Sequence, residues 1–303
     1  MDLSLNRRRA RWSGALGPGL IAVLAAVFAV ACTTESGETG GGAAKVRIQG
    51  STTVNPIMAQ LAESLRSDTL SITVDTRGGS SGGITAAGEG SADIGMASKP
   101  LSDKDRARFP GVTLKVHEVG YDAVAVVVSA PVWEGGVKAL SKSQLADIFL
   151  GKVKNWKDVG GPDKPIFLYN KEPGRGTLAV FEAFVFGGPA PEHPPLENYA
   201  EVGGNEETRQ KIESHGSAIG QLSAAWAEDR EKLKVVAIKT ADGDVLPTSK
   251  AIRERRYPMY RALRLITRGE PEGPVKTVID AALGPAGQAI VKKIGYLPVA
   301  GGE

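Results

Sequence analysis

From Val46 onward the chain alternates short β-branched runs with stretches of helical spacing, which is the pattern of an α/β protein. Residues 46–48, 71–75, 94–96, 114–118 and 122–128 have the character of strands, and 57–65 and 83–88 fall between the early ones as helices. A second set opens with a helix at 141–149. It continues with strands at 166–169, 218–220 and 234–238 and helices at 177–184 and 205–214. Residues 260–267 read as a strand, 275–283 and 285–294 as two terminal helices, and the proline-rich stretch 187–195 as a surface loop. No internal repeat is visible. No proline- or serine-rich boundary separates two autonomous halves, so two lobes interleaved along the chain are expected.

Ahead of this pattern stand Arg7, Arg8, Arg9 and Arg11, followed by an apolar stretch over 20–31. That run is shorter than the roughly 20 residues that span a bilayer, and it reads as the core of an export signal. It ends at Ala29-Val30-Ala31-Cys32, and Cys32 is the only cysteine. A lone cysteine after an export segment resembles a bacterial lipobox, in which the thiol is acylated, although Ala29 stands where lipoboxes usually carry Leu. Lipidation at Cys32 is the expectation, with ordinary signal cleavage as the alternative. Residues 1–31 would then be a lipoprotein signal peptide and 32–44 a flexible tether rich in Thr, Ser, Glu and Gly. The protein would be exported and anchored to a membrane by its lipid. One cysteine forms no internal disulfide.

The export segment also changes the charge picture. Residues 1–31 carry four arginines and one aspartate, so the remaining chain holds 33 basic and 33 acidic residues and is formally neutral. Nothing in it suggests a nucleic-acid surface, since the one basic cluster, Arg253, Arg255 and Arg256, is interrupted by Glu254.

Three strand-to-helix turns carry the candidate chemistry: "GSTTV" (50–54), "DTRGGSSGG" (75–83) and "EPGRGT" (172–177). Where a strand passes into a helix, the first helical N–H groups lack partners, and the helix dipole adds about half a positive charge. Such a turn can bind an anion. A single Ser or Thr there is ordinarily just a cap. Three such turns in one α/β chain would let several helix N-termini converge on one oxyanion, and the third adds the charges of Lys171 and Arg175.

The stretches "GSTTVNPI", "GGSSGGI", "SADIGMASKPL", "YDAVAVVV", "LADIFLGKVKNWKDVGG", "GRGT…FEAF", "SAIGQLS" and "YPMYRALRLI", in that order, resemble the phosphate-binding proteins of bacterial phosphate ABC transporters. The resemblance runs from about Val46 to the C-terminus. It implies an α/β, two-lobed type II periplasmic-binding-protein fold with the ligand cleft between the lobes. Residues 45–122 and 258–303 would form lobe I and 123–257 lobe II, with crossovers near 121–128 and 257–267. The implied ligand is inorganic phosphate and the implied partners are ABC permease subunits. The protein would work as a monomer, without cofactor or enzymatic activity.

Carried residue by residue, the resemblance places the anion against Thr52 and Thr53 of the first turn, Ser80 of the second, and Gly176 and Thr177 of the third. Lys171 stands where many members have arginine, and Arg175 where they have serine; Arg175 is expected to take over part of the charge pairing. Ser98 stands where some members have an aspartate that accepts the proton of hydrogen phosphate, and it can donate or accept. These departures keep sulfate, molybdate, tungstate or an organic phosphate open as ligands, and a phosphate-responsive sensor without transport remains a further alternative.

Other features point elsewhere. His117, His193 and His215 lack metal-ligand spacing. Trp156 reads as a packing anchor, and Asp93 and Asp122 as residues that cap or brace turns or act as acceptors near the cleft. No Ser/His/Asp order, nucleotide-binding glycine loop or pair of catalytic carboxylates stands out.

Overall fold

The computed structural model describes residues 43–193 and 195–299. The expected signal peptide, Cys32 and nearly all of the tether lie outside the described residues. In chain order the elements are β1 (Ala44–Gly50), α1 (Asn55–Leu65), β2 (Leu70–Asp75), α2 (Gly79–Glu89), β3 (Ile94–Ala97), α3 (Asp103–Ala107) and β4 (Leu114–Ser129). Next come α4 (Ala130–Glu134), β5 (Ala139–Ser141), α5 (Lys142–Phe149), a 3-10 turn (Trp156–Val159), β6 (Phe167–Lys171), α6 (Gly176–Phe186) and β7 (Tyr199–Val202). They are followed by α7 (Asn205–Glu213), β8 (Ala218–Ser223), α8 (Ala224–Ala227), β9 (Leu233–Thr240) and β10 (Gly243–Val245). The chain closes with α9 (Ser249–Arg253), β11 (Tyr260–Arg268), α10 (Gly273–Leu283) and α11 (Pro285–Ile294). No described helix is long and apolar enough to cross a membrane.

The strands follow the order β2-β1-β3-β11-β4-β8-β6-β7, with β9 also on β4 and β5 and β10 on β9. β1 runs parallel to β2 and β3, which requires crossovers, and α1 and α2 supply them. β4 carries the chain from one part of the sheet to the other. Its first portion pairs antiparallel with β11, and its apolar second portion pairs with β8 and β9. Two large apolar clusters accompany these parts. One gathers Val46, Ile57, Met58, Ile94, Leu263 and Val278, and the other Val126, Trp156, Phe181, Ile219, Leu222 and Tyr257. The buried Trp156 ring also donates from Nε1 to the Ser217 carbonyl at 2.9 Å, which fixes it within the second cluster.

Two expectations need correction. The strands at 114–118 and 122–128 are one strand, because Val119 is accommodated as a bulge where the register shifts between Leu263 and Arg264. The helix expected at 83–88 begins at Gly79, with Gly78 and Gly79 both at positive φ. Its glycines cost helix propensity, roughly 1 kcal/mol each relative to Ala, but they let the helix lie directly on the strands. A Cβ on Gly83 would sit 2.5 Å from the Met96 carbonyl oxygen and 2.6 Å from that of Gln49. This close approach brings the first turn of α2, and Ser80 with it, to the ends of β1 and β3.

Candidate functional site

The C-terminal ends of β1, β3, β6 and β7 face one small pocket, as expected for ligand sites in open α/β sheets. Its lining comprises Ser51, Thr52, Thr53, Gly79, Ser80, Ser98, Lys171, Arg175, Gly176, Thr177 and Gly203. All eight residues nominated from the sequence are therefore brought together around one space.

The first turn differs from its expected form. α1 does not start at the strand end; a turn intervenes, and every amide over 51–55 except that of Thr52 has an acceptor among the described residues. Ser51 N–H donates to the Met96 carbonyl, Thr53 N–H to Ser51 Oγ, and Val54 and Asn55 N–H to the Ser51 carbonyl. This turn thus presents the hydroxyls of Thr52 and Thr53 and the single amide of Thr52 rather than a ring of amides. The third turn keeps the anticipated geometry. Gly176 and Thr177 are the first residues of α6, and their amides have no backbone acceptor among the described residues. Gly176 is required sterically, since a Cβ there would lie 2.4 Å from Ser80 Oγ and 2.5 Å from Ser98 Oγ.

Ser98 sits at the centre of the hydroxyl cluster. Its Oγ accepts from Ser51 Oγ at 3.0 Å and lies 3.3 Å from Ser80 Oγ, while its N–H donates to Ser80 Oγ at 3.0 Å. Beneath the cluster lies Arg261 of β11, a residue that sequence reasoning passed over although it stands in the quoted "YPMYRALRLI". Its Nε and Nη2 donate to Asp122 Oδ2 at 3.1 and 2.8 Å, and the two side chains are 1% and 2% exposed. The same Nη2 donates to Thr53 Oγ1 at 3.2 Å, and Nη1 donates to Thr177 Oγ1 at 3.0 Å and Ser98 Oγ at 3.4 Å. A guanidinium has five N–H groups, and all five are committed. Arg261 therefore acts on the pocket through three hydroxyls and not by direct contact. Asp122, one of the two acidic residues considered near the cleft, is its counter-ion; Asp93 instead pairs with Arg47 at 3.1 Å, away from the pocket.

The two cations expected at the anion are arranged differently from each other. Lys171 is buried, and its Nζ donates to the carbonyls of Gly203 and Gly204 at 3.1 and 2.7 Å and to Thr208 Oγ1. Three acceptors use all three ammonium donors, so its side chain fixes the β7–α7 turn and contributes charge at short range. Burial, with Arg175 and Arg261 nearby, pushes Lys171 down to about 7, opposed by Glu207 and Glu172. Arg175, the residue before α6, pairs with Glu172 through Nε and Nη2 at 3.1 and 2.6 Å. Part of its charge is thereby neutralised at the pocket mouth. The fully buried guanidinium is that of Arg261.

A fourth turn, at Gly203 and Gly204 between β7 and α7, was also missed. Its signal was present in "VGGNEE", where a strand, two glycines and a helix repeat the pattern of the other turns. Among the described residues no group of His, Cys, Asp or Glu could hold a metal ion.

A mixed-sheet α/β frame with polar turns converging on a carboxylate-free pocket has the form of a binding protein for a small anion. Residues 34–287 match the family model of the PBP superfamily domain. The phosphate-binding protein PstS of Bacillus subtilis (strain 168) is 30% identical over 257 residues, covering 83% of this chain and 80% of the relative. A substrate-binding protein from Clostridium perfringens, assigned to phosphate ABC transport and crystallised with bound phosphate, superposes with a TM-score of 0.73 at 30% identity. The match covers 84% of this chain and all of that one. An ABC-type phosphate transport receptor from Vibrio cholerae gives a TM-score of 0.67 at 25% identity, with coverage of 84% and 100%. The chain belongs to the family of PstS-like phosphate-binding proteins, with the type II periplasmic-binding-protein fold.

Proposed function

We propose that this protein captures inorganic phosphate outside the cytoplasmic membrane and delivers it to an ABC permease, making and breaking no bond. The observation that carries this reading is the pocket itself: hydroxyls of Ser51, Thr52, Thr53, Ser80, Ser98 and Thr177 and the first amides of α6 surround a space with cations behind them. Burying an oxyanion costs at least several kcal/mol, and a compact set of charge-assisted hydrogen bonds offsets it. Residues 45–122 with 258–303, and 123–257, would be the two lobes that close on the ion. Acylated Cys32 would hold the monomer at the membrane; fractionation of a Cys32→Ala variant tests this, and retention in the membrane fraction argues against the anchor.

Calorimetry of the exported chain with phosphate, sulfate, molybdate and tungstate tests the ligand. Phosphate should bind with about micromolar affinity, about 8 kcal/mol, and more tightly than the others. Equal or tighter binding of another oxyanion would instead establish the second reading. One observation favours that alternative: no carboxylate lines the pocket, and the Ser98 hydroxyl in its lining can donate to a fully ionised oxyanion as well as accept from a protonated one.

A further inference from the structure

We infer that Asn205 is a positioning residue for the captured anion: it fills a lone pair of the Thr53 hydroxyl and so turns that hydroxyl's proton into the pocket. The inference rests on the phosphate-capture reading and adds to it a residue outside the pocket lining.

Asn205 opens α7 and is 1% exposed. Its Oδ1 accepts the Ser223 N–H at 3.2 Å, and a backbone amide can only donate. That contact settles the orientation of the carboxamide and makes Nδ2 the atom facing Thr53 Oγ1, at 3.1 Å. Arg261 Nη2 donates to the same Oγ1 at 3.2 Å. Neither Nδ2 nor a guanidinium nitrogen can accept. A hydroxyl has two lone pairs and one proton. Both lone pairs of Thr53 are taken by obligate donors, and no protein acceptor for its proton occurs among the described residues. Thr53 is itself buried and lines the pocket, so the proton's remaining direction is toward the anion. Two donors feeding one hydroxyl also polarise its O–H bond, which strengthens the bond it then donates.

The test is a double-mutant cycle in phosphate affinity, measured by titration calorimetry on the parent, Thr53→Val, Asn205→Ala and the double variant. Thr53→Val keeps the side-chain shape and should weaken binding about ten- to a hundredfold. Asn205→Ala should weaken it about three- to tenfold in the parent and less than about twofold once Thr53 is Val, because its effect passes through that hydroxyl. If the two losses multiply, Asn205 does not act through Thr53 and the inference falls. Small-angle scattering of ligand-free Asn205→Ala should match the parent; an expanded particle would mean that Asn205 holds the protein closed, which also overturns the inference. Unchanged phosphate affinity in Thr53→Val would remove the phosphate site itself, and this inference with it, whereas a loss there with multiplying factors removes only the role of Asn205. If Asn205→Ala fails to fold, as judged by thermal unfolding without phosphate, Asn205→Ser takes its place in the cycle, since its shorter side chain cannot reach Thr53.

Discussion

Replacing Arg261 by Met gives the sharpest separation between holding the fold and holding the ligand. The substitution preserves much of the side-chain volume but removes the cation from a pair that is almost wholly inaccessible. Asp122 Oδ2, which takes two charge-assisted bonds from Arg261, would be left as a buried charge without its partner. Breaking a buried pair in this way costs about 3–5 kcal/mol. In a domain of this size 1 kcal/mol corresponds to about 2–4 °C, so Tm should fall by about 6–20 °C in circular dichroism melts without phosphate. Phosphate affinity should fall at least about tenfold, since Thr53, Ser98 and Thr177 each lose the donor that orients them. Adding Asp122→Asn removes the orphaned charge. The double variant should recover most of the lost Tm and none of the affinity. A single variant within about 2 °C of the parent, or a double variant that regains both properties, would refute the reasoning.

Gly176→Ala should reduce phosphate affinity by more than about a hundredfold while leaving the far-UV spectrum unchanged, because its Cβ would collide with Ser80 and Ser98 at the pocket; near-parental affinity would show that the hydroxyls can move aside. Burial pushes Lys171 down to about 7 and a bound anion favours the ammonium, so binding should draw a proton onto it above that pH and affinity should decline as pH rises. Calorimetry at pH 8 in two buffers of different ionisation enthalpy should record this uptake in the parent and not in Lys171→Met; equal uptake in both rules it out. Arg175→Ala should cost about tenfold or less, since Glu172 already neutralises part of its charge; a loss beyond a hundredfold would return Arg175 to the direct contact expected from the sequence.

What was legible in the sequence is what is encoded locally. Hydroxyl and glycine runs at strand ends named three of the four turns, and the periodicity of α11 gave its limits. Short elements such as β5, β7, β10 and α3 were not found, because three to five residues carry too little pattern to distinguish strand from loop. α2 began later than it should have because Gly-Gly-Ser-Ser-Gly-Gly argues against a helix by propensity, and only its packing on Met96 and Gln49 reverses that. Arg261 escaped for another reason. Within a strand of alternating character it reads as an outward-facing charge, and nothing local reveals that Asp122, 139 residues earlier, lies against it.

The pairing of Arg261 with Asp122 also decides how the site handles charge. Arg175 is matched by Glu172 and Arg261 by Asp122, whereas Lys171 makes no ion pair among the described residues. Even with Lys171 protonated, the pocket therefore presents little more than one unbalanced positive charge, and a phosphate dianion cannot be held by opposite charge alone. The balance must come from dipoles: hydroxyls whose lone pairs Arg261 already fills, and the open amides of α6. Such donors are worth most where water is excluded and where they need not reorient when the ion arrives. Arg261 meets the second condition before binding, because its five N–H groups are already fixed. On this argument the buried ion pair serves chiefly to align hydroxyls, and the charge of its arginine reaches the phosphate through Thr53, Ser98 and Thr177.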